Sequence, residues 1–206
     1  MTPDNELSVI ILVGGRSRRF GRDKAAEVVG ERTLLQRIVD TVTPLAGELV
    51  IVGARGGASP VVESATPLKV VEDVREGAGA LGGLYTGLLA AGHPQSLALA
   101  CDMPLLSLPL LGHLRGLLTE EWDVVMPVWR GREEPAHALY RRACIPAIER
   151  LLERGGRRFV DFLPEVRVRY VPQEELVRFD PEGRSFWNVN SAADLERLLP
   201  ILRGDG

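Results

Sequence analysis

Cations and carboxylates recur in this chain at the exits of apolar runs, an arrangement suited to handling phosphate. The first case is SVIILVGGRSRRFGRDKA, residues 8 to 25, in which Val9 to Val13 give way to Gly14 and Gly15 and then to Arg16, Arg18, Arg19, Arg22 and Lys24. The paired glycines release the backbone from side-chain sterics, so that amide N–H groups and several guanidinium groups can converge on one oxygen-rich anion. A basic surface turn would carry the same letters, and the alternative stays open on this segment alone. Two familiar phosphate loops are excluded. The Walker pattern fails because Gly15 and Gly21 are six apart, Asp23 intervenes and Ala25 follows Lys24 where a hydroxyl is needed. The dinucleotide fingerprint fails because Gly14 and Gly15 are adjacent and the next glycine is Gly21.

Four further segments could join the same chemistry. In SLALACDMPLL, residues 96 to 106, Asp102 follows an apolar strand and stands two residues before Pro104. Ligands of open α/β sheets sit at the carboxyl ends of strands, so Asp102 is either a metal ligand facing that crevice or a cap for the next turn. In VVEDVREGAGALGGL, residues 70 to 84, Asp73 is followed by Gly77, Gly79, Gly82 and Gly83. These glycines either admit a base or sugar, or pack a helix closely on a sheet, and the packing reading is the stronger on these letters alone. In FWNVNSAADL, residues 186 to 195, Asn188 and Asn190 share one face if the backbone is extended. Asn190 could complete a magnesium shell with Asp102, or both amides could serve as turn and cap formers. Arg157 and Arg158 in GGRRFVDF could clamp a second anion or be solvated charges. His137 reads as a packed strand residue, and His93 and His113 as loop and helix surface; no Ser/His/Asp set is suggested.

These residues need a scaffold, and the pattern supplies one. With 206 residues, 45% apolar and 26% charged, the chain is expected to form a single domain over residues 1–206. A net charge of -3 argues against broad nucleic-acid binding, and without a long apolar stretch or a basic leader the expectation is no membrane and a cytoplasmic location. Cys101 and Cys144 lack metal-type spacing and are expected to pack internally. Strands are predicted over 8–13, 48–53, 68–72, 97–101, 123–128, 134–140 and 167–171. Helices are predicted after Thr33 as far as Pro44, over Ala80 to Ala91, Leu108 to Leu118 and Ile145 to Leu152, and after a Ser191/Asp194 capping pair. Alternation of strand and helix predicts a three-layer, doubly wound, mostly parallel α/β sheet, with 54–66 as a connection.

LVGGRSRRFGRDKA, the VED segment, GALGG, CDMP and FWNVNSAADL, in this order, resemble the molybdenum cofactor guanylyltransferases, a branch of the nucleotide-diphospho-sugar-transferase-like, Rossmann-like fold. The resemblance runs from Leu12 to Leu195. In such enzymes the opening loop reads LAGG when guanosine nucleotides are used, and Gly14 matches it; Val13, Phe20 and Ala80 depart from the usual alanine, methionine and proline. The resemblance implies transfer of GMP from GTP to the terminal phosphate of molybdopterin with release of pyrophosphate. It implies Leu12, Val13 and Gly14 lining the guanine nucleotide, Lys24 and Arg19 at its phosphates, Asp73 at the nucleoside, Asp102 holding Mg²⁺, and Asn188 and Asn190 near metal and acceptor. Transient contacts with other molybdenum cofactor biosynthesis proteins or target enzymes are compatible with it. Rival readings are a CTP-dependent molybdopterin cytidylyltransferase, a sugar-phosphate nucleotidyltransferase, and a non-catalytic nucleotide-binding module that delivers the cofactor.

Overall fold

The computed structural model describes residues 6–13, 27–29, 31–57, 59–75 and 77–203. The chain opens with strand β1 (Leu7–Val13), every residue of which is buried. A short antiparallel pair, β2 (Val28–Val29) and β3 (Arg32–Thr33), leads into helix α1 (Leu34–Val42). Thr33 starts that helix as expected, its hydroxyl accepting from the Gln36 N–H at 3.0 Å, while Leu34, Leu35, Ile38, Val39 and Val42 form the buried stripe. Strands β4 (Glu48–Gly53) and β5 (Leu68–Glu72), helix α2 (Gly79–Ala90), strand β6 (Gln95–Ala100) and helix α3 (Leu108–Leu117) follow. Then come β7 (Val124–Trp129), β8 (Arg132–Glu133), β9 (His137–Arg141), α4 (Ile145–Glu153), β10 (Val168–Val171), the single turn α5 (Gln173–Leu176) and α6 (Ala192–Arg203). Among the described residues no helix is long and apolar enough to cross a membrane.

The sheet runs in the order β10-β7-β9-β6-β1-β4-β5, with β8 attached to β7. Strands β5, β4, β1 and β6 are mutually parallel, whereas β9 lies antiparallel to both β6 and β7. All seven predicted main strands are present. The reversal of β9, the two-residue strands and α5 were not foreseen, because apolar content locates a strand without giving its direction.

Alternation along β1 shows why it is apolar throughout. Val9, Ile11 and Val13 join the core under α1 and α3, while Ile10 and Leu12 join the core under α2 and α4. Helix α2 comes unusually close. A Cβ on Gly87 would collide with Ile10, and one on Gly83 would stand 3.1 Å from a Leu12 methyl. Close helix packing, the stronger of the two readings for this glycine run, is therefore what Gly83 serves.

The amino ends of the strands are held by a buried ionic cluster. Glu48 is 6% exposed and accepts from Ser8 Oγ at 2.6 Å, from the Gly92 N–H and from Lys69 Nζ at 2.8 Å. Burial alone would raise its pKa, but the hydrogen bonds from Lys69, Ser8 and Gly92, together with the charge of Lys69, outweigh it and bring the group down to about 2. Set against an unfolded carboxyl at 4.5, this corresponds to about 3 kcal/mol of stability, present above pH 4.5 and lost as pH falls toward 2. Glu48→Gln should lower stability at pH 7 by up to this amount, the gap closing at about pH 2 as the wild-type carboxyl protonates; urea melts across pH measure it. A gap that does not change with pH would refute the linkage.

Candidate functional site

Four parallel strands finish level with one another. Val13 pairs with Gly53, Gly53 with Glu72, and Leu12 with Ala100, so β5, β4, β1 and β6 all end at one edge of the sheet. The step from β5 to β6 is three strands, about 14 Å. Because β9 runs backward, its first residue, His137, lies opposite Leu99, and Ala136 O accepts from the Ala100 N–H at 3.1 Å. The segment before β9 therefore reaches the same edge.

Two main-chain hydrogen bonds gather the candidate residues. The Cys101 N–H donates to Leu12 O at 3.2 Å, fastening the CDMP turn to the exit of β1. The Val189 N–H donates to Asp102 O at 2.8 Å, drawing the FWNVN segment over the same turn. Asp102 is half-buried there. Val189 is buried and Asn188 and Asn190 are exposed, so the two amides do share one face. The cap of α6 is supplied by Ser191, whose hydroxyl accepts from the Asp194 N–H at 3.1 Å and donates to Asp194 Oδ2 at 2.8 Å. Asn190 adds its main-chain N–H to Asp194 Oδ2 at 3.0 Å, and Asn188 Nδ2 donates to Phe186 O at 3.5 Å, so the turn and cap reading holds in part for both. Gly14, Arg19 and Lys24 lie outside the described residues, but the strand that launches their loop ends within this group.

Asp73 leaves β5 at the far end of the row. Its Oδ1 accepts from the Arg75 N–H at 2.9 Å and from Thr86 Oγ1 at 3.0 Å, pinning the loop to α2. A Cβ on Gly82 would stand 3.0 Å from Asp73 Oδ2, so that glycine keeps space beside the second oxygen. Arg157 lines a separate cavity of about 290 Å³ with Arg75, Gly77 and Ala78. Arg158 is exposed and 3.6 Å from Asp161. The structure thus groups Asp102, Asn188 and Asn190, places Asp73 along the same edge with Arg157 beside the loop that follows it, and leaves Arg158 exposed on the surface.

The wall beside Asn188 depends on residues not singled out from the sequence. Trp129 at the end of β7 stacks on Phe186 with ring centroids 5.2 Å apart, and His137 meets Phe186 edge-on at 5.0 Å. Asp180, buried, accepts from the Arg184 and Ser185 N–H groups at 3.0 and 2.8 Å, and Ser185 Oγ accepts from the Ser107 N–H at 2.8 Å. This chain of bonds ties the wall to the start of α3. His137 is fully buried, and burial pushes it down to about 4, the Asp180 charge opposing; it is a neutral packed residue, as expected. His113 departs from the surface reading: it stacks on Phe179 at 4.1 Å and lies 2.8 Å from Glu175 Oε1. Glu134, half-buried just before β9, is pushed up to about 7 by burial, with Arg132 opposing. Phe186 stands in the sequence only as part of the FWNVN motif, and Trp129, Glu134 and Asp180 carry no signal beyond residue type.

A parallel sheet with the end of its first strand and a post-strand aspartate at one edge, crossed by an asparagine pair, is the architecture of a nucleotidyltransferase. Residues 9–168 match the MobA-like NTP transferase domain family, and the chain belongs to it. The molybdenum cofactor guanylyltransferase of Desulfosudis oleivorans is 34% identical, over 94% of this chain and 95% of that protein. The crystal structure of molybdopterin-guanine dinucleotide biosynthesis protein A from Archaeoglobus fulgidus superposes with a TM-score of 0.78 at 26% identity, over 96% of this chain and 99% of that one. The 2-C-methyl-D-erythritol 4-phosphate cytidylyltransferase of Thermus thermophilus, 19% identical with a TM-score of 0.71 over 95% of this chain and 98% of that one, shares the fold. The resemblance carried by LVGG, CDMP and FWNVN is borne out at family level.

Proposed function

We propose that this chain transfers GMP from GTP to the terminal phosphate of molybdopterin, releasing pyrophosphate. The observation that carries the reading is the pair of main-chain bonds joining Leu12, the Asp102 turn and the Asn188–Asn190 segment, which supports a common site at the end of β1. The names of its relatives support guanosine as the nucleotide and molybdopterin as the acceptor.

In this reading an oxygen of the acceptor phosphate attacks the α-phosphorus, the bond to the bridging oxygen breaks, and pyrophosphate leaves with the electron pair. The nucleophile is already ionised, so no general base and no covalent enzyme intermediate are needed. Repulsion between two polyanions is the main obstacle: at about 4 Å, two unit charges cost about 4 kcal/mol at an effective dielectric near 20. Lys24 and Arg19 are assigned to the nucleotide phosphates to offset it, and Leu12, Val13, Gly14 and Asp73 to the nucleoside. The Asp102 carboxylate and the Asn190 carboxamide oxygen are hard donors that suit Mg²⁺, which takes few protein ligands and completes its shell with phosphate and water. That ion would supply charge neutralisation at the leaving group. Asn188 orients the acceptor.

Pyrophosphate release by the full chain with magnesium and purified molybdopterin tests the reading. Release should require the acceptor and proceed with GTP at a rate at least about tenfold above CTP, since bases are told apart by hydrogen-bonding groups left unpaired in the wrong partner. Faster release with CTP, or none with either nucleotide, would overturn it.

A further inference from the structure

A cavity of about 270 Å³ opens between the β7–β8 turn and α6, lined by Arg130, Trp187, Asn188, Asp194, Arg197 and Leu198. We propose that it seats the phosphate monoester of the acceptor, with the guanidinium groups of Arg130 and Arg197 as its partners. The inference rests on the guanylyl-transfer reading and moves the acceptor contact away from Arg157 and Arg158.

Placement is the first argument. Asn188 belongs both to this cavity and to the segment that Val189 fastens to Asp102, so an anion seated here lies beside the post-strand aspartate. Charge is the second. Neither Arg130 nor Arg197 makes a salt bridge within 4.0 Å among the described residues, whereas Arg158 lies 3.6 Å from Asp161 and Arg75 lies 3.6 Å from Glu149. Among the described residues Asp194 is the one carboxylate in the lining; its Oδ2 already accepts from the Asn190 N–H at 3.0 Å and from Ser191 Oγ, and the Arg197 charge helps hold its pKa down. Two guanidinium groups against one hydrogen-bonded carboxylate leave the cavity positive, and forked N–H donors match phosphate oxygens.

The backbone gives the third argument. Arg130 has φ 49 and Gly131 has φ 73, the two positive angles of a type I′ turn joining Trp129 to its partner Arg132. Such a turn favours asparagine, aspartate or glycine at its first central position, and arginine is there against that preference. The Arg130 N–H donates to Gln173 Oε1 at 3.0 Å, and Trp129 is anchored on Phe186, so the strained residue is held from both sides. An unfavourable conformation over-determined by its surroundings, with its side chain facing a cavity, points to a function for that side chain.

Arg130→Gly separates side chain from backbone, because glycine adopts the turn without strain while the guanidinium is lost. The full chain is loaded with magnesium and α,β-methylene GTP, which cannot be cleaved between its α and β phosphates, and inorganic phosphate is titrated in by calorimetry. Wild type should bind phosphate; Arg130→Gly and Arg197→Gln should each weaken it about tenfold and raise the acceptor KM by a similar factor, with the GTP KM within about twofold. Arg130→Gly should melt no lower than wild type. Unchanged phosphate affinity and acceptor KM in both variants, or a weakening of GTP instead, would overturn the assignment. Failure of the wild type to bind the analogue at all would sink the guanylyl-transfer reading, a separate outcome.

Discussion

Asp102→Ala should reduce turnover by about a thousandfold or more while GTP affinity changes by less than about fivefold, since removing a single preorganised electrostatic contact at a reacting phosphoryl group costs on the order of 4 kcal/mol in the transition state. The variant is expected to fold normally. One bond that joins Asp102 to the FWNVN segment is made by its main-chain carbonyl, which accepts from the Val189 N–H and survives truncation of the side chain. Nucleotide affinity should also survive largely intact, because in the proposed reading the carboxylate acts through the metal and the nucleoside is assigned to Leu12, Val13, Gly14 and Asp73. Single-turnover rates at saturating magnesium and equilibrium binding of a fluorescent GTP analogue measure the two quantities separately. A normal rate would remove Asp102 from the chemistry, and equal losses in rate and affinity would make it a general binding residue.

The second large effect is expected at Gly183. Its φ of 63 lies in the left-handed region, and a Cβ there would fall inside the indole of Trp129. Gly183→Ala therefore combines a conformational cost of about 1 kcal/mol with overpacking of 1–3 kcal/mol, a loss of about 2–4 kcal/mol in urea unfolding. The damage should be directional. Trp129 carries the β7–β8 turn and stacks on Phe186, so displacement of the indole shifts the wall next to Asn188 and should raise the acceptor KM more than the GTP KM. Gly112→Ala is the control: it lies within α3 with nothing within 4 Å of its added Cβ, and should be neutral or slightly stabilising. Equal stability of the two variants would show that the Trp129 contact relaxes freely.

The contrast between those two residues shows what could be read before the fold was known. Asp102 was legible because its signal is local: an apolar run, an acid, and a proline that halts the strand. The same holds for Thr33, whose hydroxyl caps α1, and for Ser191 with Asp194 at α6, where cap and partner stand within three residues. Gly183 and Trp129 are 54 positions apart by their numbering, and neither carries a mark of the other. The direction of β9 was hidden for a similar reason, since alternation of buried residues reads alike from either end. Arg157 and Arg158 looked equivalent to any other arginine pair near glycines. Only the fold separates them from Arg130 and Arg197, because only the fold shows which guanidinium groups share a cavity with Asn188.

Reversal of β9 has a structural consequence for how the two halves of the molecule can change. The carboxyl edge of the sheet is registered by an unbroken parallel ladder from β5 through β4 and β1 to β6, and residues 130–136, β8 among them, reach that edge from the other direction on their way into β9. Lengthening or recomposing this entering loop leaves every rung of the parallel ladder in place. With the acceptor seated at Arg130 as proposed, the protein can be retailored toward that reactant while the strands beneath the other site stay fixed, a separability that a uniformly parallel sheet would not offer.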